Sequence, residues 1–129
     1  MPQAANITVK DGSDVDKEFT LISPASGDGG ISTHALKEGT ISAVFPLLTT
    51  SATARLTSRN LKVKITVPSS YQDTVTGLTM VNNRVEANLS VTVPADFPGA
   101  KKDDAVAFIC NLINSPLVKS QIRDAVSAT

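Results

Sequence analysis

Aromatic residues are scarce: four Phe, one Tyr and no Trp in 129 positions. A sheet that reads RNA by stacking bases on exposed rings would have little to work with. Cysteine occurs once, at Cys110, which excludes an intramolecular disulfide framework. Its apolar run, Val106 to Ile113, predicts a small buried hydrophobe. No activating group for a reactive thiol lies nearby in sequence, and nothing supports an intersubunit disulfide. Histidine also occurs once, at His34. One His, one Cys and scattered carboxylates make no metal cluster, so no metal or other cofactor is expected. His34 reads as a surface or strand residue. No apolar run approaches the ~20 residues that span a bilayer. Met1 to Asn6 lacks the basic start and apolar core of a signal peptide. The expectation is a soluble chain made in a cytosol, with no membrane partner. Net charge is missing too, with twelve Lys and Arg against twelve Asp and Glu. Composition alone therefore gives no nucleic-acid signal.

Distribution gives one. No acid lies between Glu38 and Asp73, yet Arg55, Arg59, Lys62 and Lys64 do. The stretch Arg59 to Pro68 alternates strictly. Leu61, Val63, Ile65 and Val67 share one side of a strand, and Asn60, Lys62, Lys64 and Thr66 the other. One face wants a core, and the other wants water or an anion. On the Leu47–Leu56 stretch, Ser51, Thr53 and Arg55 share a polar face. On the Arg84–Val93 stretch, Arg84, Glu86, Asn88, Ser90 and Thr92 do. Alternation of this kind is also what any solvated strand face would show.

At this length the chain is expected to be a single domain, residues 1–129. Residues 5–10 and 17–23 read as an N-terminal hairpin (about 5–23) around Asp11-Gly12-Ser13-Asp14, with Gly12 able to take a positive φ. Ser23 to Gly30 is a flexible connection without the Lys-Ser/Thr ending of a phosphate loop. A sheet is expected over about 31–93, with a long polar connection from Pro68 to Gly77 and a turn at Asn82-Asn83. The period then changes. Two helices are expected over about 101–127. Ala105, Phe108, Ile109, Leu112 and Ile113 form the apolar stripe of the first, and Asp103 and Asp104 suit its start. Ser115-Pro116 reads as N-cap and first-turn proline of the second, which carries Leu117, Val118 and Ile122. Strands followed by helices indicate an α+β arrangement. The helices can cover their own sheet in a two-layer monomer, or reach across a partner in an intertwined homodimer. Periodicity does not choose between these.

The chain resembles the coat proteins of the small single-stranded RNA bacteriophages. The resemblance runs through Ser58-Arg59-Asn60-Leu61-Lys62-Val63-Lys64-Ile65-Thr66-Val67-Pro68, Thr74-Val75-Thr76-Gly77-Leu78, and Arg84 through Asn88 to Pro94. Leu112-Ile113-Asn114-Ser115-Pro116-Leu117 and Ile122-Arg123-Asp124 carry it to the end. It implies an N-terminal β-hairpin, a five-stranded antiparallel sheet and two C-terminal α-helices, interlocked as a homodimer through residues such as Phe108, Leu112, Leu117 and Ile122. Dimers would close into an icosahedral shell, the virion capsid, in a bacterial host cytoplasm. The polar sheet face would look inward at single-stranded viral RNA. The loop from about Ser69 to Asn83 would adapt around the symmetry axes, with Gly77 as a pivot. In such proteins the dimer also binds an RNA hairpin and represses replicase translation. The implied RNA-binding positions are Asn60, Lys62, Lys64 and Asn88, with Ser51, Thr53, Arg55 and Ser90 added by face parity. Arg59 joins them if the strand end bends its way. Glu86 stands where several relatives carry an aromatic for base stacking.

An enzyme is not expected. Asp103 and Asp104 read as helix-start residues, and Ser115 as a cap, because no triad pattern accompanies it. The competing reading is a dimeric RNA-binding or interaction domain that forms no shell.

Overall fold

The computed structural model describes residues 3–27, 29–39 and 41–128. The chain divides into two units, Met1–Val93 and Pro94–Thr129.

The first unit is an antiparallel sheet. Its strands are β1 (Ile7–Lys10), β2 (Asp16–Ser23), β3 (Ile31–Ala35), β4 (Leu47–Ala54), β5 (Ser58–Gln72) and β6 (Thr79–Pro94). Spatial order follows chain order, so each strand lies beside its sequence neighbour and β6 is an outer edge. The N-terminal hairpin continues into the sheet, because Thr20 of β2 pairs with Ala35 of β3 and Leu21 with His34. A register shift between Leu21 and Ser23 accommodates the join.

Local chemistry sets the turns. Asp11 Oδ1 accepts from the backbone N–H groups of Ser13 at 2.8 Å and Val15 at 3.0 Å. The positive φ in this turn falls on Asp14, at 66°, and not on Gly12; Asp tolerates the left-handed region better than most residues. Asp73 repeats the device, with Oδ1 accepting from Val75 N–H at 2.8 Å. Gly77 takes φ 72° in that turn and donates to Asp73 O at 2.8 Å. The β5–β6 connection is thus a short reversal over 73–78. The turn expected at Asn82-Asn83 is absent: β6 runs through both residues.

Between β3 and β4 a single 3-10 turn, Ser42–Val44, leads into Phe45. Val44 and Ala35 are the buried apolar residues among those described. His34 is a strand residue, as expected, but it is buried, 5 % exposed. Its Nε2 lies 2.9 Å from Ala5 O, so the ring pins the segment before β1.

The second unit holds α1 (Gly99–Ile113) and α2 (Pro116–Asp124). α1 starts directly after Pro98, with no side-chain cap and no acid in its first turn. Asp103 and Asp104 are therefore a full turn inside the helix, and the expectation that they mark its start is corrected. Ser115 caps α2 as expected, accepting from Val118 N–H at 3.4 Å with Pro116 in the first turn. Its hydroxyl also donates to Leu112 O at 2.7 Å, which couples the end of α1 to the start of α2. Ala125, in the left-handed region at φ 56°, closes α2. Cys110 is exposed, contrary to the expectation of burial. Ala105 and Ile109 are the half-buried residues of α1, and Cys110 points away from their line. No helix among the described residues is long and apolar enough to cross a membrane.

Candidate nucleic-acid interface

Strand register decides which side chains share a face, since directly opposed residues project to the same side. Thr49 opposes Lys64, Ser51 opposes Lys62, and Thr53 opposes Asn60. On the other side of β4, Ile31 opposes Ser51 and Thr33 opposes Thr49. Two side-chain contacts align β6. Ser90 Oγ donates to Asn60 Oδ1 at 3.2 Å, and Lys64 Nζ lies 3.9 Å from Glu86 Oε1. Moving four residues along one strand moves four back along the other, so Lys62 faces Asn88.

One continuous polar face results. It runs from Ile31 and Thr33 through Thr49, Ser51 and Thr53, then Asn60, Lys62 and Lys64, to Glu86, Asn88 and Ser90. Seven positions singled out in the sequence meet here: Ser51, Thr53, Asn60, Lys62, Lys64, Asn88 and Ser90. A recess of about 360 Å³ opens among them, lined by Ile31, Thr49, Ser51, Lys62, Asn88 and Ser90 with their neighbours. Its lining combines apolar side chains with hydroxyl, amide and ammonium groups. That combination suits a flat heterocycle with a phosphate beside it.

Electrostatics are uneven across the face. Lys64 and Glu86 are each about half exposed, at 50 % and 43 % of the side chain, so water screens their attraction without abolishing it. Lys62 has no ion-pair partner among the described residues. It is the stronger point of anion attraction.

Two arginines fall elsewhere. Arg59 opposes Ala54 and has the parity of Leu61, so it belongs to the other face. The expectation that the strand end bends it towards the lysines is corrected: β5 is already regular at Ser58, and parity holds. Arg55 lies past the end of β4, in the reversal closed by its N–H to Ser58 O at 2.7 Å. There it flanks Leu56, which is fully exposed. Sequence reasoning left Arg84 off the site. Leu47 opposes Thr66, and the β5–β6 alignment carries that row on to Arg84. Alternation alone already puts Arg84 on the polar face with Glu86, Asn88 and Ser90, though not among the expected site residues.

Phe108, Leu112, Leu117 and Ile122 are each more than 60 % exposed in the single chain. Phe108 lines a shallow apolar recess with Phe97, Lys101, Asp104 and Ala105.

No family model matches the sequence, and no curated protein matches it by sequence. Solved structures do match in fold. A virus-like particle of bacteriophage NT-214 superposes with a TM-score of 0.87 at 18 % identity, covering 99 % of this chain and 100 % of that one. A virus-like particle of Beihai levi-like virus 21 gives 0.84 at 18 % identity, covering 99 % of each chain. The capsid protein of bacteriophage GA gives 0.74 at 15 % identity over 95 % of each. The antiparallel sheet followed by two C-terminal helices is thus the coat fold of levi-like RNA bacteriophages, end to end.

Proposed function

We propose that the chain is the coat protein of a single-stranded RNA phage, forming homodimers that close into a shell around RNA. The observation that carries this reading is the end-to-end likeness to chains that build virus-like particles, with 99 % of this chain covered by a particle subunit. Three features of the chain fit. Its helices hold Phe108, Leu112, Leu117 and Ile122 open to water, which a partner subunit's apolar surface would cover. β6 is a 16-residue edge strand, and an unpaired edge that long invites a second strand. The polar face joins Lys62 to a recess large enough to admit a nucleobase. The work of this protein is assembly and containment, and its RNA contacts are electrostatic first.

Repression of replicase translation through an RNA hairpin would use the same face. Glu86 beside Lys64 puts a carboxylate where an aromatic would stack a base, which weights the reading towards packaging.

Size separation followed by electron microscopy of the expressed protein tests the proposal, with nucleic acid extracted from the same fraction. Closed particles containing RNA are expected. A stable dimer that never forms particles would overturn the shell and leave a dimeric RNA-binding domain. Particles free of nucleic acid would overturn the RNA-facing role.

A further inference from the structure

We propose that the polar face carries a second nucleotide site, built from Phe45 and Arg84, so that one RNA strand engages two recesses on each subunit. This rests on reading the polar face as RNA-facing.

A separate recess of about 380 Å³ is lined by Phe45, Leu47, Thr66, Pro68 and Arg84, with Ala43 and Val81 at its sides. It lies on the same side of the sheet as the first. Leu47 and Thr66 form the row next to Thr49 and Lys64 on that side. Thr66 is four residues along β5 from Lys62, which puts the two recesses roughly 13 Å apart at ~3.3 Å per residue. A few nucleotides of unstacked single strand span that distance.

The residue types suit a nucleotide. Phe45 is half-buried, and the turn before it is held by Phe45 N–H to Ser42 O at 3.2 Å and by buried Val44. Its ring is a positioned stacking surface in a chain with few aromatics. Pro68 and Leu47 supply further apolar wall. Arg84 brings a planar guanidinium that can stack on a base or take a phosphate through paired N–H donors. Apolar slot and cation together match one base with its phosphate.

The charges between the recesses favour a strand bound at two points. Lys64 is answered by Glu86 at 3.9 Å, so the middle of the path is close to neutral. Phosphate attraction is concentrated at Lys62 on one side and Arg84 on the other.

Fluorescence anisotropy with labelled oligoadenylates two and six nucleotides long, on the full-length protein over a salt series, tests this. The hexamer should bind more tightly than the dimer. Arg84→Ala and Phe45→Leu should each weaken the hexamer about tenfold, the scale of losing one stacked base, and leave the dinucleotide unchanged. Arg84→Ala should also flatten the hexamer's salt slope by about 0.7. Thermal melting of each variant checks that it folds, and Arg84→Lys should restore the slope without the full affinity. If well-folded Arg84→Ala and Phe45→Leu bind the hexamer like wild type while Lys62→Ala weakens it, the second site is wrong and the RNA-facing reading stands. If Arg84→Ala weakens both lengths equally and Phe45→Leu weakens neither, Arg84 is only a diffuse charge, and the site is overturned. If wild type binds no oligonucleotide, the RNA-facing reading falls with it.

Discussion

Lys64 Nζ stands 3.9 Å from Glu86 Oε1 across the β5–β6 pair, so one of the two lysines on the polar face carries its own counter-charge. Lys62, one row away, does not. Lys62→Ala should therefore cost more RNA affinity than Lys64→Ala. Glu86→Gln should tighten binding several-fold, steepen the salt slope by about 0.7 for one added phosphate contact, and make the two lysine variants alike. Filter binding across a salt series reads all three. Equal losses from Lys62→Ala and Lys64→Ala with Glu86 intact would mean that the pair does not persist in solution.

The hairpin turn between β1 and β2 should loosen in acid. The N–H of Val15 and then that of Ser13 donate to Asp11, which holds its carboxyl below the ordinary carboxylate range. A depressed folded pKa contributes stability that is present above the unfolded value. It is lost as pH falls through the folded one. Amide exchange at Ser13 and Val15 should thus quicken, relative to the sheet, only below the usual aspartate range. Asp11→Ala should remove that pH dependence, leaving the turn loose throughout.

Ser115 links the two helices through both of its hydrogen bonds, one accepted from Val118 and one donated to Leu112. Ser115→Ala should cost about 1 kcal/mol, the usual effect of losing an N-cap. Pro116 still fixes the first turn, so helix content by circular dichroism should stay near wild type while the melting midpoint falls. A large loss of helix would show that Ser115, and not Pro116, starts α2.

What could be read from the chain follows how local each determinant is. Strict alternation from Asn60 to Val67 fixed β5 and its two faces, because a period of two leaves no other assignment. Ser115-Pro116 was legible because a cap is a contact between near neighbours. The Asn82-Asn83 turn was misread because Asn favours turns by its own chemistry, while a ladder to the long β5 overrides that preference. The first helix was expected from about residue 101, but it begins at Gly99, directly after Pro98, which leaves Asp103 and Asp104 inside it. Cys110 was misread because an apolar run does not say which stripe of α1 turns inward, and that stripe holds Ala105 and Ile109. Arg84 was legible on the polar face by alternation, but its place opposite Thr66 came only with the β5–β6 alignment.

Ile122 lies on α2, 62 % exposed in the single chain. If a partner subunit covers it, Ile122→Asp puts a carboxylate into an apolar contact, a cost of several kcal/mol. Sedimentation should then show monomer or aggregate in place of dimer and particles, with helix content reduced. A normally assembling Ile122→Asp variant would place the subunit contact elsewhere.

With Ala35 and Val44 the buried apolar residues among those described, the chain alone removes little hydrocarbon from water. Ordering each residue costs about 1–2 kcal/mol of backbone entropy, which so small a core does not offset. In the proposed assembly, folding and association would become one equilibrium, with a midpoint that climbs as the protein is concentrated. Dilution would then act as a denaturant, and subunits released from such an assembly would be committed either to rejoin it or to unfold.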